Sequence, residues 1–268
     1  MDSRGEPGRV RLSIRNMKRR LIIAASVVCL AVCSLNAQQR GQAGQRGPAP
    51  TPRAGAPIDL TGYWVSVVTE DWEFRMVTAP KGEFGGLGSI PINDAGRRVA
   101  ATWDPAKDEA AGEQCKSYGA AAIMRVPGRL HVTWQDDNTL RIDTDAGTQT
   151  RLLHFGAAKL DEGPATWQGY SVAQWEGAGR GATRGGSLKV VTTHMRPGYL
   201  RKNGAPYSAN ALLSEYYDRY QGPNGDEWLV VTTIVEDPQY LSQSFTTSTN
   251  FKKLPDASGW NPTPCSAK

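Results

Sequence analysis

The chain predicts an all-β protein, an antiparallel β-barrel with one small helical insertion. Three observations lead there. Between Arg129 and Phe155 the stretches RLHVTWQ, TLRIDT and TQTRLLHF are separated by Asp136-Asp137-Asn138 and Asp145-Ala146-Gly147, a meander of short strands and tight polar turns. Such a meander cannot bury itself, so more sheet must come from elsewhere. The rest of the chain supplies it: GYWVSVVTE (62–70), WEFRMVTAP (72–80), AAAIMRV (120–126), YSVAQWE (170–176), SLKVVTTHM (187–195), ALLSEYYDRY (211–220), EWLVVTTIVED (227–237) and QSFTTSTNFKK (243–253) all read as strands. Finally, about eleven strands in roughly 210 residues suit a single barrel or sandwich domain.

The helical insertion has its own signals. Asn93 is placed to cap DAGRRVAATW, and Asp104-Pro105 starts a second short turn that runs to Glu113. The stretch GAGRGATRGG (177–186) reads as a flexible insertion between strands. It lacks the Lys-Ser/Thr of a phosphate loop and opens no helix, so a nucleotide loop is not expected there.

Upstream of the domain, Met17-Lys18-Arg19-Arg20 leads into LIIAASVVCLAVCSL and then Asn36-Ala37-Gln38. A basic start, a short apolar run and a small residue are the parts of a secretory signal, with cleavage expected after Ala37 and Met17 the better start. The apolar run is short for a membrane span, so a secreted, periplasmic protein without a stable span is expected; a retained anchor is the alternative. Residues 38–57, rich in Gly, Pro, Gln and Arg, read as a disordered tether. The expected organisation is therefore signal 1–37, tether 38–57 and barrel 58–268.

Signal removal leaves two cysteines, Cys115 and Cys265. In an oxidising compartment they read as one disulfide closing a long loop, against the alternative of two unpaired thiols. The formal charge of +5 also owes much to the N-terminal segment, where basic residues cluster at 4–20 and no acid occurs from 21 to 53. The domain itself is close to neutral, so the basic balance is no argument for nucleic-acid binding, which needs a charged patch on the folded surface, and no nucleic-acid partner is expected.

Two stretches resemble known proteins. Asp59-Leu60-Thr61-Gly62-Tyr63-Trp64 resembles the first strand of lipocalin-like barrels, where a Gly-x-Trp closes the barrel floor. Trp167 to Gly177 (WQGYSVAQWEG), then Leu188 to Thr193, Ser214-Glu215-Tyr216-Tyr217 and Val235-Glu236-Asp237-Pro238 resemble a functionally uncharacterised family of secreted bacterial β-proteins. That family carries a tight Gly-Asp turn after the Trp-Glu-Gly and an Arg after the Glu; Ala178 and Tyr216 replace them here. The resemblance implies a lipocalin-like barrel and secretion, and no reaction.

Chemistry-bearing residues are few. His131, His154 and His194 lie on predicted strands, none within metal-motif spacing of another, and neither a metal nor a cofactor is expected. His194 ends an apolar strand, where a barrel mouth would place a titrating group. Glu215 lies between apolar neighbours and needs a partner such as Arg141 or Arg151 if buried. Aromatic residues on strands either fill a core or line a pocket. The expected function is binding of a small apolar or aromatic molecule inside the barrel, with Trp64, Trp134, Trp175 and Tyr217 as contacts and Arg141 or Arg196 as anionic anchor. One alternative is an acid-base enzyme, an isomerase, cyclase or hydrolase, using His194 and Glu215. The other is an envelope interaction module that needs no cavity.

Overall fold

The protein is described by a computed structural model covering residues 49–84, 90–156, 163–177 and 186–268. The expected signal, the tether up to residue 48 and most of the Gly/Arg insertion lie outside the described residues. In chain order the elements are β1 (Gly62–Val67), α1 (Trp72–Met76), α2 (Asp94–Ala101), α3 (Pro105–Ala110), a 3-10 turn (Gln114–Tyr118), α4 (Ala120–Ile123), β2 (Arg129–Trp134), β3 (Thr139–Thr144), β4 (Ala146–Gly147) and β5 (Gln149–Phe155). They continue with β6 (Tyr170–Glu176), β7 (Ser187–Thr193), β8 (Gly198–Arg201), β9 (Ala205–Tyr207), β10 (Leu212–Gln221), β11 (Glu227–Glu236), β12 (Phe245–Leu254) and β13 (Thr263–Pro264).

Nine strands close a barrel in the order β1-β12-β11-β10-β7-β6-β5-β3-β2. Strand directions that strictly alternate close only with an even number, so nine strands force one parallel pair. It falls between β5 and β6, where Leu153 faces Ser171 and Phe155 faces Ala173. The other barrel ladders are antiparallel. Lipocalin barrels close with eight strands; this one differs in number and in its parallel seam.

Two expected strands are helices. AAAIMRV forms α4 because three consecutive alanines favour the helix more than the strand. WEFRM forms α1, whose first turn starts from Asp71, with the Phe74 and Arg75 amides donating to the Asp71 carbonyl at 3.1 and 3.0 Å. Conversely, the hairpin β8–β9 falls on residues read as loop. It turns at Lys202-Asn203-Gly204, where Gly204 has φ 82° and a Cβ would stand 2.3 Å from that of Trp103. The predicted helices hold: Asn93 accepts from the Gly96 amide at 2.9 Å, and Asp104 from Ala106 at 3.1 Å.

Alternation assigns the interior where composition was ambiguous. In EWLVVTTIVE, Leu229, Val231, Thr233 and Val235 are buried, while Val230, Thr232 and Ile234 lie half-buried on the outer face. Leu229 and Val231 pack with Trp64, Leu140, Leu153, Leu188 and Phe251 into one core, which Ile123 of α4 and Met124 just after it join, while Val235 belongs to a second core. That second core, including Ile92, Met195, Tyr207, Leu213 and Phe245, joins the helical insertion and the β8–β9 hairpin to the ends of β10–β12.

Between these apolar layers sits a polar one. Arg151 donates to both Glu215 oxygens at 3.0 and 2.6 Å, to the Tyr217 hydroxyl at 3.3 Å and to Thr192 Oγ1 at 3.4 Å, with both charged side chains 0% exposed. The bidentate pairing is what makes two buried charges tolerable. The remaining chain end is tied down by Cys115 and Cys265, whose sulfurs are bonded across 150 residues of sequence, and by the short parallel β4–β13 ladder. At the N-terminal edge, residues 51–57 lie against the barrel: Trp175 Nε1 donates to the Pro52 carbonyl at 2.8 Å and the Arg53 amide to that of Asp137 at 3.2 Å. Residues 51–57, part of the tether expected from composition, therefore bond to the barrel through Pro52 and Arg53.

Candidate functional site

The residues expected to line an internal pocket fall in different places. Trp64 is fully buried in the core, its indole donating to the Leu60 carbonyl at 3.0 Å. Tyr217 is 1% exposed and belongs to the polar layer around Arg151. Trp134 and Trp175 flank Phe155 at ring separations of 5.5 and 5.4 Å, beneath the segment at Pro52. Arg141 is on the outer wall, paired with Asp143 at 2.7 Å. Arg196 stacks over Trp167 at 4.0 Å and pairs with Glu113 at 3.0 Å. These six side chains do not share a pocket.

The acid-base pair is also divided. Glu215 is enclosed and held by Arg151, one of the partners expected if it were buried. Thr192 still points inward, but β7 ends at Thr193, and a left-handed backbone at His194 (φ 57°) leaves that side chain exposed. Among the described residues no three His, Cys, Asp or Glu side chains gather in a metal-binding arrangement. His131 stacks on Tyr63 at 4.0 Å and His154 on Tyr170 at 5.2 Å.

The structure instead forms a pocket of about 340 Å³ outside the barrel interior, between α1, α4 and the β8–β9 hairpin. Its polar side comes from Arg75 on α1, Arg125 just after α4, and Arg201 with Lys202 on β8 and its turn. Its apolar side comes from Phe74, Met76, Val77, Val126 and Leu200. Three guanidinium groups, with side chains 1%, 7% and 3% exposed, face two carboxylates, Glu70 and Asp71. Arg75 Nη1 donates to Glu70 at 2.5 Å and its Nε to the Arg125 carbonyl at 2.9 Å. Arg125 and Arg201 both donate to Asp71 Oδ2, the latter at 3.2 Å.

That arrangement explains an oddity of α1. Asp71 holds a left-handed backbone (φ 49°, ψ 33°) and makes no side-chain cap, because its carboxylate turns inward to the two arginines. Strain of this kind costs of order 1–3 kcal/mol and is retained where surroundings enforce it. The ring faces of Phe245 and Phe74 support Arg125 and Arg201 at 5.2 and 4.5 Å.

Among the described residues, the site nevertheless sets three guanidinium groups against two carboxylates. Burial, helped by the neighbouring Arg201 and Arg75, pulls the Arg125 guanidinium down to about 10 despite Asp71. Burial lowers Arg75 and Arg201 as well. Arg75 Nη2, Arg125 Nε and Asp71 Oδ1 are buried and have no hydrogen-bond partner among the described residues. Two unpartnered donors thus belong to arginines that line a cavity with one apolar wall.

None of these four basic residues was singled out from the sequence. Two signals pointed to them: the alanine run that makes α4 a helix and so places Arg125, and the Asn203-Gly204 pair that marks the hairpin carrying Arg201 and Lys202. No protein-family model, curated protein or solved structure matches this chain.

Proposed function

We propose that this protein is an extracytoplasmic binder of a small organic acid, holding it in the arginine pocket at the capped end of the barrel rather than inside the barrel. The surplus of buried guanidinium over carboxylate beside a cavity of about 340 Å³ carries the reading. A buried cation without a full complement of partners is costly, and an incoming carboxylate or phosphate supplies the missing acceptors as oxygens suited to the planar guanidinium. The apolar wall selects a ligand with an apolar or aromatic body. That wall continues outward, since Met76 and Val77 line the pocket and are 62% and 66% exposed, with Trp72 of the same helix 65% exposed.

The disulfide supports an oxidising compartment. Among the described residues no helix is long and apolar enough to cross a membrane. Secretion of the mature domain into the periplasm fits the basic-apolar N-terminus read above.

Calorimetric titration with octanoate, benzoate and octyl phosphate tests the proposal. At least one should saturate at one site per chain, and Arg125→Met should weaken it by about 100-fold, the order of a lost charge-assisted pair. Equal affinity in wild type and variant would remove the arginine pocket as the site.

A further inference from the structure

A separate groove of about 300 Å³ lies on the outer wall of the barrel. Its floor is a row of side chains, one from each of four neighbouring strands: Tyr63 pairs with His131, His131 with Asp143, and Asp143 with Thr150. Residues directly opposite in a ladder share a face, so the four project together from the sheet. The wall is the C-terminal segment. Trp260 stands edge-on to Tyr63 and His131, with ring centres 5.8 and 6.2 Å away.

Several bonds hold this wall in place. The Thr263 amide donates to the Asp145 carbonyl at 2.8 Å, and Thr148 Oγ1 donates to the Thr263 carbonyl at 2.9 Å. Cys265, two residues on, is bonded to Cys115. Thr148, which lines the groove, keeps a left-handed backbone at φ 48°, an uncommon and costly state for a β-branched residue.

The chemistry of the groove differs from that of the arginine pocket. Arg141 donates from Nε and Nη2 to the two Asp143 oxygens at 2.7 and 2.9 Å, and Thr150 donates to Asp143 Oδ1 at 2.5 Å. Partial burial works against ionisation, yet the Arg141 and Thr150 bonds hold the Asp143 carboxyl below its usual range. The pair is neutral overall, so the groove favours no net charge on a ligand. A carboxylate and a guanidinium have more hydrogen-bonding sites than these bonds occupy, and the Arg141 side chain is 42% exposed. An anion would meet Asp143, a cation would meet Arg141, and a purely apolar molecule would desolvate both without replacing their bonds.

The ligand that satisfies every part has an apolar C–H face for the aromatic wall and adjacent hydroxyls that both donate and accept. We propose that this groove binds one ring of a neutral saccharide, its C–H face against Trp260 and its hydroxyls on the Arg141–Asp143 pair. The ring belongs either to a free monosaccharide or to a residue of a polysaccharide, and the two sources share this chemistry.

Affinity electrophoresis through gels containing soluble starch, xylan or hydroxyethylcellulose, together with titration by glucose, xylose and N-acetylglucosamine, tests the proposal. The protein should be retarded by at least one polymer or bind at least one monosaccharide. Trp260→Ala and Arg141→Met should each raise the dissociation constant at least about ten-fold. Arg141 is exposed enough for its variant to keep the wild-type melting curve, so loss of binding there is not loss of fold. Retardation by polymer alone assigns a polysaccharide; equal binding of the matching monosaccharide assigns the free sugar. No binding to any of the six, or unchanged binding in both variants, would overturn the proposal.

Discussion

Asp71 and Arg125 carry most of the chemical argument. Asp71 holds Arg125 and Arg201 through one carboxylate oxygen and so acts as an internal counter-ion that a ligand's acid group must share or displace. Asp71→Asn removes that competition, and calorimetry with octanoate should show affinity raised by about ten-fold, opposite in sign to Arg125→Met. Arg125 also sets a pH limit. Its folded value of about 10 lies below that of an unfolded arginine, so burial disfavours the charged form. The cost of keeping that charge is present below about pH 10 and fades as pH rises through this value, while an anion binds only the charged form. Acid affinity should hold at neutral pH and fall above about pH 10, which titrations in a pH series will show. Glu215 belongs to stability instead: Glu215→Gln leaves Arg151 buried with half a partner and should cost about 3–5 kcal/mol in urea unfolding. The sequence required a partner for Glu215 and named Arg151 among the options. Which arginine it was depended on register across β5, β7 and β10, and register is invisible in strands apolar on both parities.

Among elements, the legible ones were those with two agreeing signals. β2, β3 and β5 combine alternation with turn residues; α2 and α3 combine a cap with helical composition. α1 and α4 were misread because a short apolar run fits either period, and for α4 the alanine propensity was the deciding term. The β8–β9 hairpin was marked by Asn203-Gly204, and its geometry makes a test: Gly204→Ala forces a Cβ against Trp103 at positive φ and should destabilise by at least about 1 kcal/mol, read from the melting temperature. The C-terminal segment depends on the disulfide. Cys115→Ser with Cys265→Ser frees a loop of 150 residues, and chain entropy alone sets the loss at about 5 kcal/mol. The double variant should also lose saccharide retardation, since Trp260 would no longer be held against Tyr63.

At the scale of the whole molecule, the barrel works as a scaffold. Its interior is filled by Trp64, Tyr217, Phe251 and the Arg151–Glu215 pair, while concave surface lies at the capped end and on the outer wall. Strand count and aromatic content pointed to a barrel; they did not say whether the aromatics filled it or lined it, because packing density is a property of three-dimensional fit. The candidate site was less legible than the fold for the same reason. Arg75, Arg125 and Arg201 are separated by 50 and 76 residues and converge only when two helices and a hairpin cap one barrel end. The most direct test is native mass spectrometry of the mature protein exported to an oxidising periplasm, incubated with octanoate, benzoate or octyl phosphate, for wild type and Arg125→Met side by side. One acid should add to the wild type, be released on denaturation and be missing from the variant. A wild type that stays at its apo mass with all three acids, or a variant that retains the acid equally, would rule out the arginine pocket as the binding site.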